Sequence, residues 1–592
     1  MRTILALVLT LVLAPPSTAR AAPSSPADLR PGQPLEVRTV FAGDSVESFT
    51  AVVVGVLPGG RSEGDLILAR ATDERVLRSG VAQGMSGSPV YAEGRLIGAL
   101  SSGWAFSREP VFGITPIAEM QAVLAHPDRV GEDGTVGPTG VDPGPRTRFA
   151  LWNWEGEEPA APLAHPTTSR PGLALPLAVA GANPGTLDLV RDDFAPLGLQ
   201  VVPGGRDPAP PRTPPFVPGS ACAVEVMRGD LNMAAIGTVT WTEGDRVLLF
   251  GHPFFQSGDV RLPLATARIT TVLGSLNMSF KLGLAGRAVG TVTQDRRAAV
   301  AGRLGPSPAL MPLRVTVRPE GGAPQRFAFE CVDDRALLPQ LVNTAVLNSL
   351  LESGGTAPAQ SVRWTLAVSH AGRTLRVGDA IAGDSPFADL AGTLVAPLRF
   401  LLNNPFARFR PDSVAIELEV LPGRRQATLR NAVLAAPAVR PGGVARVRVE
   451  LERWRGGRET LELELPVPDD LPEGRYPLQV AGGVELDRAI GLRLPARFRA
   501  ASVAEAMDRF ATFHRGDAVH ALLWGRAPEV SMDGVDLPEL PASAAQLLAP
   551  VVRSGDRARP GEWAVVHERT TAYPAVVRGD LTLDLIVDRR AP

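Results

Sequence analysis

The chain has 592 residues, 45% hydrophobic and 21% charged, a balance that excludes a disordered polypeptide. Its formal net charge is −2, with no Lys/Arg block and no interleaving of aromatic and basic residues, which excludes an electrostatic nucleic-acid binder. The length exceeds what one core holds, so roughly three or four domains are expected, and 60 glycines with 56 prolines suit many strands joined by tight turns.

Arg2 precedes the apolar run ILALVLTLVLA, and Ala19-Arg20-Ala21 supplies an A-x-A site. Residues 1–21 are therefore expected to be a cleavable secretory signal, with the mature chain starting near Ala22. The run is short for a bilayer span. The expected location is exported: periplasm, cell surface or extracellular.

Residues 33–126 read as short strands (TAVVVGVL, GDLILAR) and a hairpin of SPVY with RLIGALSS about Ala92-Glu93-Gly94. A helix is expected at ITPIAEMQAVLA, with Thr115 as N-cap and Pro116 at its first position. Residues 127–217 are Pro/Gly-rich at both ends and enclose a candidate small α/β insert. Dense strand signals return over 218–333, and 334–413 reads as a helical and β connecting region. Residues 414–500 carry period-2 strands with turn residues, expected to form an immunoglobulin-like β-sandwich. Residues 501–592 form a C-terminal α+β region with a helix at SVAEAMDRFATFH.

Cys222 and Cys331, the two cysteines, lie in strand-like runs. A disulfide and two separate buried thiols both remain open. The seven histidines are scattered, and no Cys/His spacing points to structural zinc, so neither a metal nor a cofactor is expected.

The stretch that carries chemistry is GMSGSPVYAEGRLIGALSSGWAFSREPVFGITPI. Gly84-Met85-Ser86-Gly87 sets a small hydroxyl between glycines, so the backbone can fold tightly behind it and aim neighbouring N–H groups at one spot. Acyl transfer needs that arrangement, because an oxyanion develops beside the attacking oxygen. Ser86 is the candidate nucleophile, and the amides of Gly84 and Ser86 are the candidate oxyanion donors. A nucleophilic serine also needs a base. Gly251-His252-Pro253 ends the apolar strand RVLLF, which makes His252 a candidate, although a histidine there can equally be a core residue.

These segments resemble a known family. VAQGMSGSPVYAEGRLIGAL is similar to the nucleophile loop of chymotrypsin-like peptidases, and closer to the sporulation-signalling serine peptidases of the SpoIVB type. RVLLFGHP and VGTVTQDRRAAVAGRLG resemble the histidine-bearing region of the same family. The resemblance implies Ser86 as nucleophile and His252 as general base. From the context Thr72-Asp73-Glu74-Arg75-Val76-Leu77 it also implies Asp73 as the residue orienting the imidazole; Asp259 and Asp295, nearer His252 in sequence, are alternatives. It further implies that Ser101, Ser102 and Gly103 form an edge for an extended substrate and that Phe112-Gly113-Ile114 line a specificity pocket. Ser88 would begin the outgoing strand. Lys281, the sole lysine, is expected to be structural or surface-facing rather than part of a Ser–Lys dyad.

In the family histidine precedes serine, whereas here Ser86 comes first. No segment matches the PDZ domain of the sporulation enzymes, so their signalling role does not transfer. The expected fold is mainly β: a chymotrypsin-like double β-barrel, circularly permuted, with C-terminal β-sandwich domains. The expected function is an exported serine endopeptidase acting on protein or peptide substrates. The alternatives are a catalytically silent binding protein of the cell envelope, partnered through the C-terminal β-domains, and an enzyme that only processes itself.

Overall fold

The computed structural model describes residues 26–61, 64–127, 152–154, 175–209, 213–354, 359–384, 386–526, 529–532, 535–537, 543, 558–561 and 563–591. The expected signal segment lies outside them. The protein is mainly β. The first closed barrel contains β1 (Pro34–Thr39), β2 (Glu47–Arg61), β3 (Gly64–Ala71), β4 (Pro89–Ala92), β5 (Arg95–Gly103) and β6 (Val111–Pro116), in the order β1-β2-β3-β6-β5-β4. Alternation along these strands turns Val37, Phe49, Ile67, Val90, Phe112 and Ile114 into one core. A short helix, α1 (Glu74–Ser79), follows β3, and α2 (Ile117–Ala122) follows β6.

Helix α2 starts later than its sequence suggests. Its N-cap is Pro116, without a side-chain cap, because β6 continues through that residue. The Thr115 hydroxyl is engaged elsewhere, donating to the Gly251 carbonyl at 2.6 Å.

Residues 175–203 form a parallel βαβ unit: β7 (Leu175–Ala180), α3 (Pro184–Phe194) and β8 (Leu199–Pro203). Six further strands follow: β9 (Ala221–Gly229), β10 (Asn232–Glu243), β11 (Arg246–Leu249), β12 (Gly258–Leu273), β13 (Phe280–Arg296) and β14 (Ala299–Leu304). Their pairings close a second ring, β9-β10-β11-β14-β13-β12 and back to β9. The two barrels therefore wind alike, each with its third strand paired to its sixth. Ser86 lies between the third and fourth strands of the first barrel, and His252 between the third and fourth strands of the second.

The second barrel continues through β15 (Met311–Pro319) and β16 (Gln325–Cys331) into a wide sheet with β17 (Gln360–His370), β18 (Arg373–Gly383) and β19 (Ser413–Pro422). Helix α4 (Leu338–Glu352) packs against it and is buried along most of its length. Cys222 on β9 and Cys331 on β16 are free, separate and buried.

A β-sandwich follows. One sheet holds β20 (Gln426–Leu434), β21 (Val444–Arg453) and β22 (Arg458–Pro466); the other holds β23 (Gly474–Gly482), β24 (Ala518–Gly525), β25 (Ala564–Ala572) and β27 (Asp580–Val587), while β26 (Val576–Arg578) joins the first sheet. Leu429, Val447 and Leu463 face Leu478, Val480, Val519 and Leu585 across their common core. The sandwich thus takes strands from both sides of residue 500. Helix α5 (Gly483–Arg493) packs on the outer face of its second sheet, and α6 (Val503–Phe510) packs against β18 of the wide sheet. Ser502 caps α6 by accepting the Glu505 N–H at 3.2 Å, while the Glu505 carboxylate accepts the Ala501 N–H at 2.7 Å.

Candidate active site

The serine loop is shaped by two glycines in left-handed conformations, Gly84 (φ +86°) and Gly87 (φ +93°). Its N–H groups can be accounted for one by one. Gln83 donates to Ser279 O at 2.7 Å, Met85 to Ala82 O at 3.0 Å, Gly87 to Leu100 O at 2.8 Å and Ser88 to Met85 O at 2.9 Å. Among the described residues the N–H groups of Gly84 and Ser86 have no acceptor. These are the two amides expected from the sequence to serve an oxyanion. Met85 points into the first barrel's core, which anchors the loop from behind. Ser86 itself is 0% exposed, and among the described residues its Oγ has no hydrogen-bond partner.

His252 stands at the start of the β11–β12 connection. Phe250 (φ +67°) and Gly251 (φ +69°) turn the chain there. The imidazole Nδ1 lies 2.8 Å from the Pro253 carbonyl, and a carbonyl only accepts, so that contact assigns the proton to Nδ1. Nε2 is left with a lone pair, enclosed and without a partner among the described residues. The residue as a whole is half-buried. Burial pushes the imidazole pKa down to about 4, so the ring is a neutral base at pH 7.

The barrels dock through these two loops. Thr238 N donates to Ser86 O, and Thr238 Oγ1 donates to Gly84 O, each at 2.9 Å. Thr240 Oγ1 donates to Gly87 O at 2.7 Å. A Cβ at Gly87 would sit 2.0 Å from Thr238 O and 2.5 Å from Phe250 N, so only glycine permits this approach. On the other side Gly251 packs against Ala99 and Ser101, and its carbonyl takes the Thr115 bond. Ser86 Oγ and His252 Nε2 make no hydrogen bond to each other. Because Ser86 has no solvent contact, the geometry is closed. A substrate carbonyl reaches Oγ only after a displacement.

Residues 22–119 match the family model described as SpoIVB peptidase S55. The match covers the serine barrel and leaves His252, on the second barrel, outside it. No curated protein and no solved structure matches the chain.

Within the region matched by the SpoIVB peptidase S55 model, Asp73 is the N-cap of α1. Its carboxylate accepts the Arg75 N–H at 2.9 Å and pairs with the Arg75 guanidinium, which holds it below the ordinary carboxylate range. It makes no bond to His252, whose Nδ1 is held by Pro253. Asp259 pairs with Arg296 at 2.6 Å. Of the three candidate carboxylates, Asp295 is the one bonded to the histidine loop. It is 1% exposed and accepts the N–H groups of Phe254 (2.7 Å), Phe255 (2.7 Å) and Ser257 (3.1 Å). Burial raises its pKa, and those N–H donors oppose the rise.

Ser101, Ser102 and Gly103 lie at the end of β5. There β6 pairs on one side (Ser102 with Gly113, Gly103 with Phe112), whereas β4 reaches only to Ala99 on the other. Their second edge is therefore unpaired among the described strands. Phe112 and Ile114 do not line a pocket: both belong to the first barrel's core. Ser88 is buried just before β4.

Lys281 is the residue that sequence reasoning undervalued. It is not surface-facing but 0% exposed, with its stem against Gly84 and its Nζ 2.8 Å from Thr39 Oγ1 and 3.3 Å from Thr238 Oγ1. Thr238 passes that contact on to the Gly84 carbonyl. Burial pushes the amine down to about 7. The signal available was its singularity, a lone lysine in a chain whose other basic residues are arginines.

Proposed function

We propose that the chain is an exported serine endopeptidase of the SpoIVB type, assembled from two barrels that each contribute one catalytic loop. The observation that carries this reading is the pair of unbonded amides, Gly84 and Ser86, flanking a serine against which the His252 loop is packed. Ser86 Oγ attacks the substrate carbonyl carbon and His252 Nε2 takes its proton. The Gly84 and Ser86 N–H groups receive the oxyanion. Collapse expels the amine, protonated by His252, and leaves an acyl-enzyme that water then hydrolyses. His252 Nδ1–H is steadied by the Pro253 carbonyl, and Asp295 acts one step back by shaping residues 254–257. Ser101–Gly103 offer the edge on which an extended substrate adds as a strand.

A second reading is favoured by the complete burial of Ser86: a silent, peptidase-derived protein of the cell envelope that binds partners through its C-terminal β-domains. Reaction with a fluorophosphonate separates the two. The peptidase reading expects the folded protein to be labelled, slowly if the closed form must open, and Ser86→Ala to abolish the adduct. No adduct on folded protein over hours would leave the silent reading. Comparing the masses of wild type and Ser86→Ala after export distinguishes cleavage in cis from cleavage in trans.

A further inference from the structure

Far along the chain from Ser86, three ligand-type side chains converge on the outer face of the sandwich's second sheet. His520 lies on β24 and Glu568 on β25. These strands pair with His520 opposite Thr570 and Leu522 opposite Glu568, so His520 and Glu568 are diagonal neighbours on one face. The α6–β24 connection lays His514 over them. The nearest ligand atoms of His514, His520 and Glu568 all fall within 4.8 Å of one another.

The far nitrogens of both rings are anchored. His514 Nδ1 bonds Asp487 on α5, which is 3% exposed, and its Nε2 faces Glu568 Oε1 at 2.8 Å. His520 Nε2 lies 3.0 Å from the Arg515 carbonyl, which can only accept; the proton is on Nε2 and the lone pair on Nδ1. The Thr570 hydroxyl lies 2.9 Å from that Nδ1. An imidazole whose second nitrogen donates to a carboxylate or a backbone carbonyl is the arrangement that orients metal-ligating histidines. A metal-free ionic triad would need only His514 between its two carboxylates; His520, held by the Arg515 carbonyl and the Thr570 hydroxyl, turns its Nδ1 toward the same point.

We infer that His514 Nε2, His520 Nδ1 and Glu568 form a binding site for one zinc-class divalent transition-metal ion, oriented by Asp487 and the Arg515 carbonyl. Two imidazoles and one carboxylate are a borderline-soft donor set that suits zinc rather than calcium or magnesium. A cavity of about 120 Å³, lined by Asp487, Arg497, Arg509, His514 and Glu568 among others, adjoins two of the three ligands. The ion ties α5, the α6–β24 connection and two sandwich strands together. Sequence spacing did not disclose it, because Glu568 reaches the two histidines only through strand pairing.

The test is Zn²⁺ titration of the chelator-stripped full-length protein by calorimetry, with Co²⁺ absorption as a second readout. The expected result is one saturable site, a tetrahedral-type Co²⁺ spectrum and a melting temperature raised by Zn²⁺. Affinity should fall by more than about 100-fold in His520→Ala and by about 10- to 100-fold in Asp487→Asn. Absence of saturable binding in the wild type overturns the proposal, as does undiminished binding in a folded His514→Ala/His520→Ala double variant. If the variants fail to fold, the wild-type Co²⁺ spectrum decides: octahedral, water-like absorption counts against the site.

Discussion

Replacing Gly87 by alanine tests whether the serine loop is held by the second barrel. Two costs are separable. At φ +93° any L-residue bears a conformational penalty of roughly 1–2 kcal/mol. The added Cβ also meets backbone atoms, Thr238 O at 2.0 Å and Phe250 N at 2.5 Å, which cannot swing aside as a flexible side chain would. Overpacking of that kind adds about 1–3 kcal/mol. Gly94→Ala is the control: its φ is +76° and nothing lies within 4 Å of its Cβ, so it bears the first cost without the second. Hydrogen exchange by mass spectrometry, read on peptides spanning residues 83–103, reports local opening without assuming a two-state chain. Gly87→Ala should exchange faster than Gly94→Ala by roughly 5- to 150-fold, the equivalent of that 1–3 kcal/mol difference. Equal exchange in the two variants would refute the claim that the barrels meet at Gly87.

Three further outcomes follow from buried groups. Lys281 has a folded pKa near 7 against an ordinary 10.5, so above pH 7 the unfolded state binds the extra proton and stability rises with pH. Measured against Lys281→Met, denaturant unfolding of the wild type should gain up to about 1.4 kcal/mol per pH unit between roughly pH 7 and 8.5; the comparison is needed because His514, lowered by burial but raised further by Asp487 and Glu568 to about 9, contributes the opposite slope to both proteins. Above that window both cysteine thiols, pushed up by burial, add to the opposing slope once the unfolded thiols ionise. Neither Cys222 nor Cys331 should react with a thiol reagent in the native protein, and both should react after unfolding without a reductant; one or none reacting would contradict two free thiols. His252, lowered from 6.5 to about 4, is neutral in the folded protein down to that pH, so Ser86 labelling should persist at about pH 5.5 and fade toward 4. A midpoint at the ordinary histidine value would show that the ring is solvated during reaction.

The serine loop was legible because its requirements are local: two glycines with positive φ and a hydroxyl between them are written in consecutive residues. Strand signals were legible over both regions, while their closure into two barrels was implied only by the family resemblance. What could not be read was their docking, which depends on Thr115, Thr238 and Thr240, bonded to carbonyls more than a hundred positions away. Tertiary demand also overrode a local preference at Thr115, whose hydroxyl serves Gly251 rather than capping α2. Asp73 illustrates the opposite error. Its family-like context pointed to catalysis, yet an aspartate two residues before an arginine at a helix start satisfies itself as an N-cap.

The central claim is that loops from two barrels make one site. It is tested most directly by the rate at which a fluorophosphonate phosphonylates Ser86 in wild type and in His252→Gln, with folding of both checked by hydrogen exchange. A working general base predicts a fall of about 10²- to 10⁴-fold in His252→Gln with exchange unchanged. Equal rates in the two proteins would contradict it.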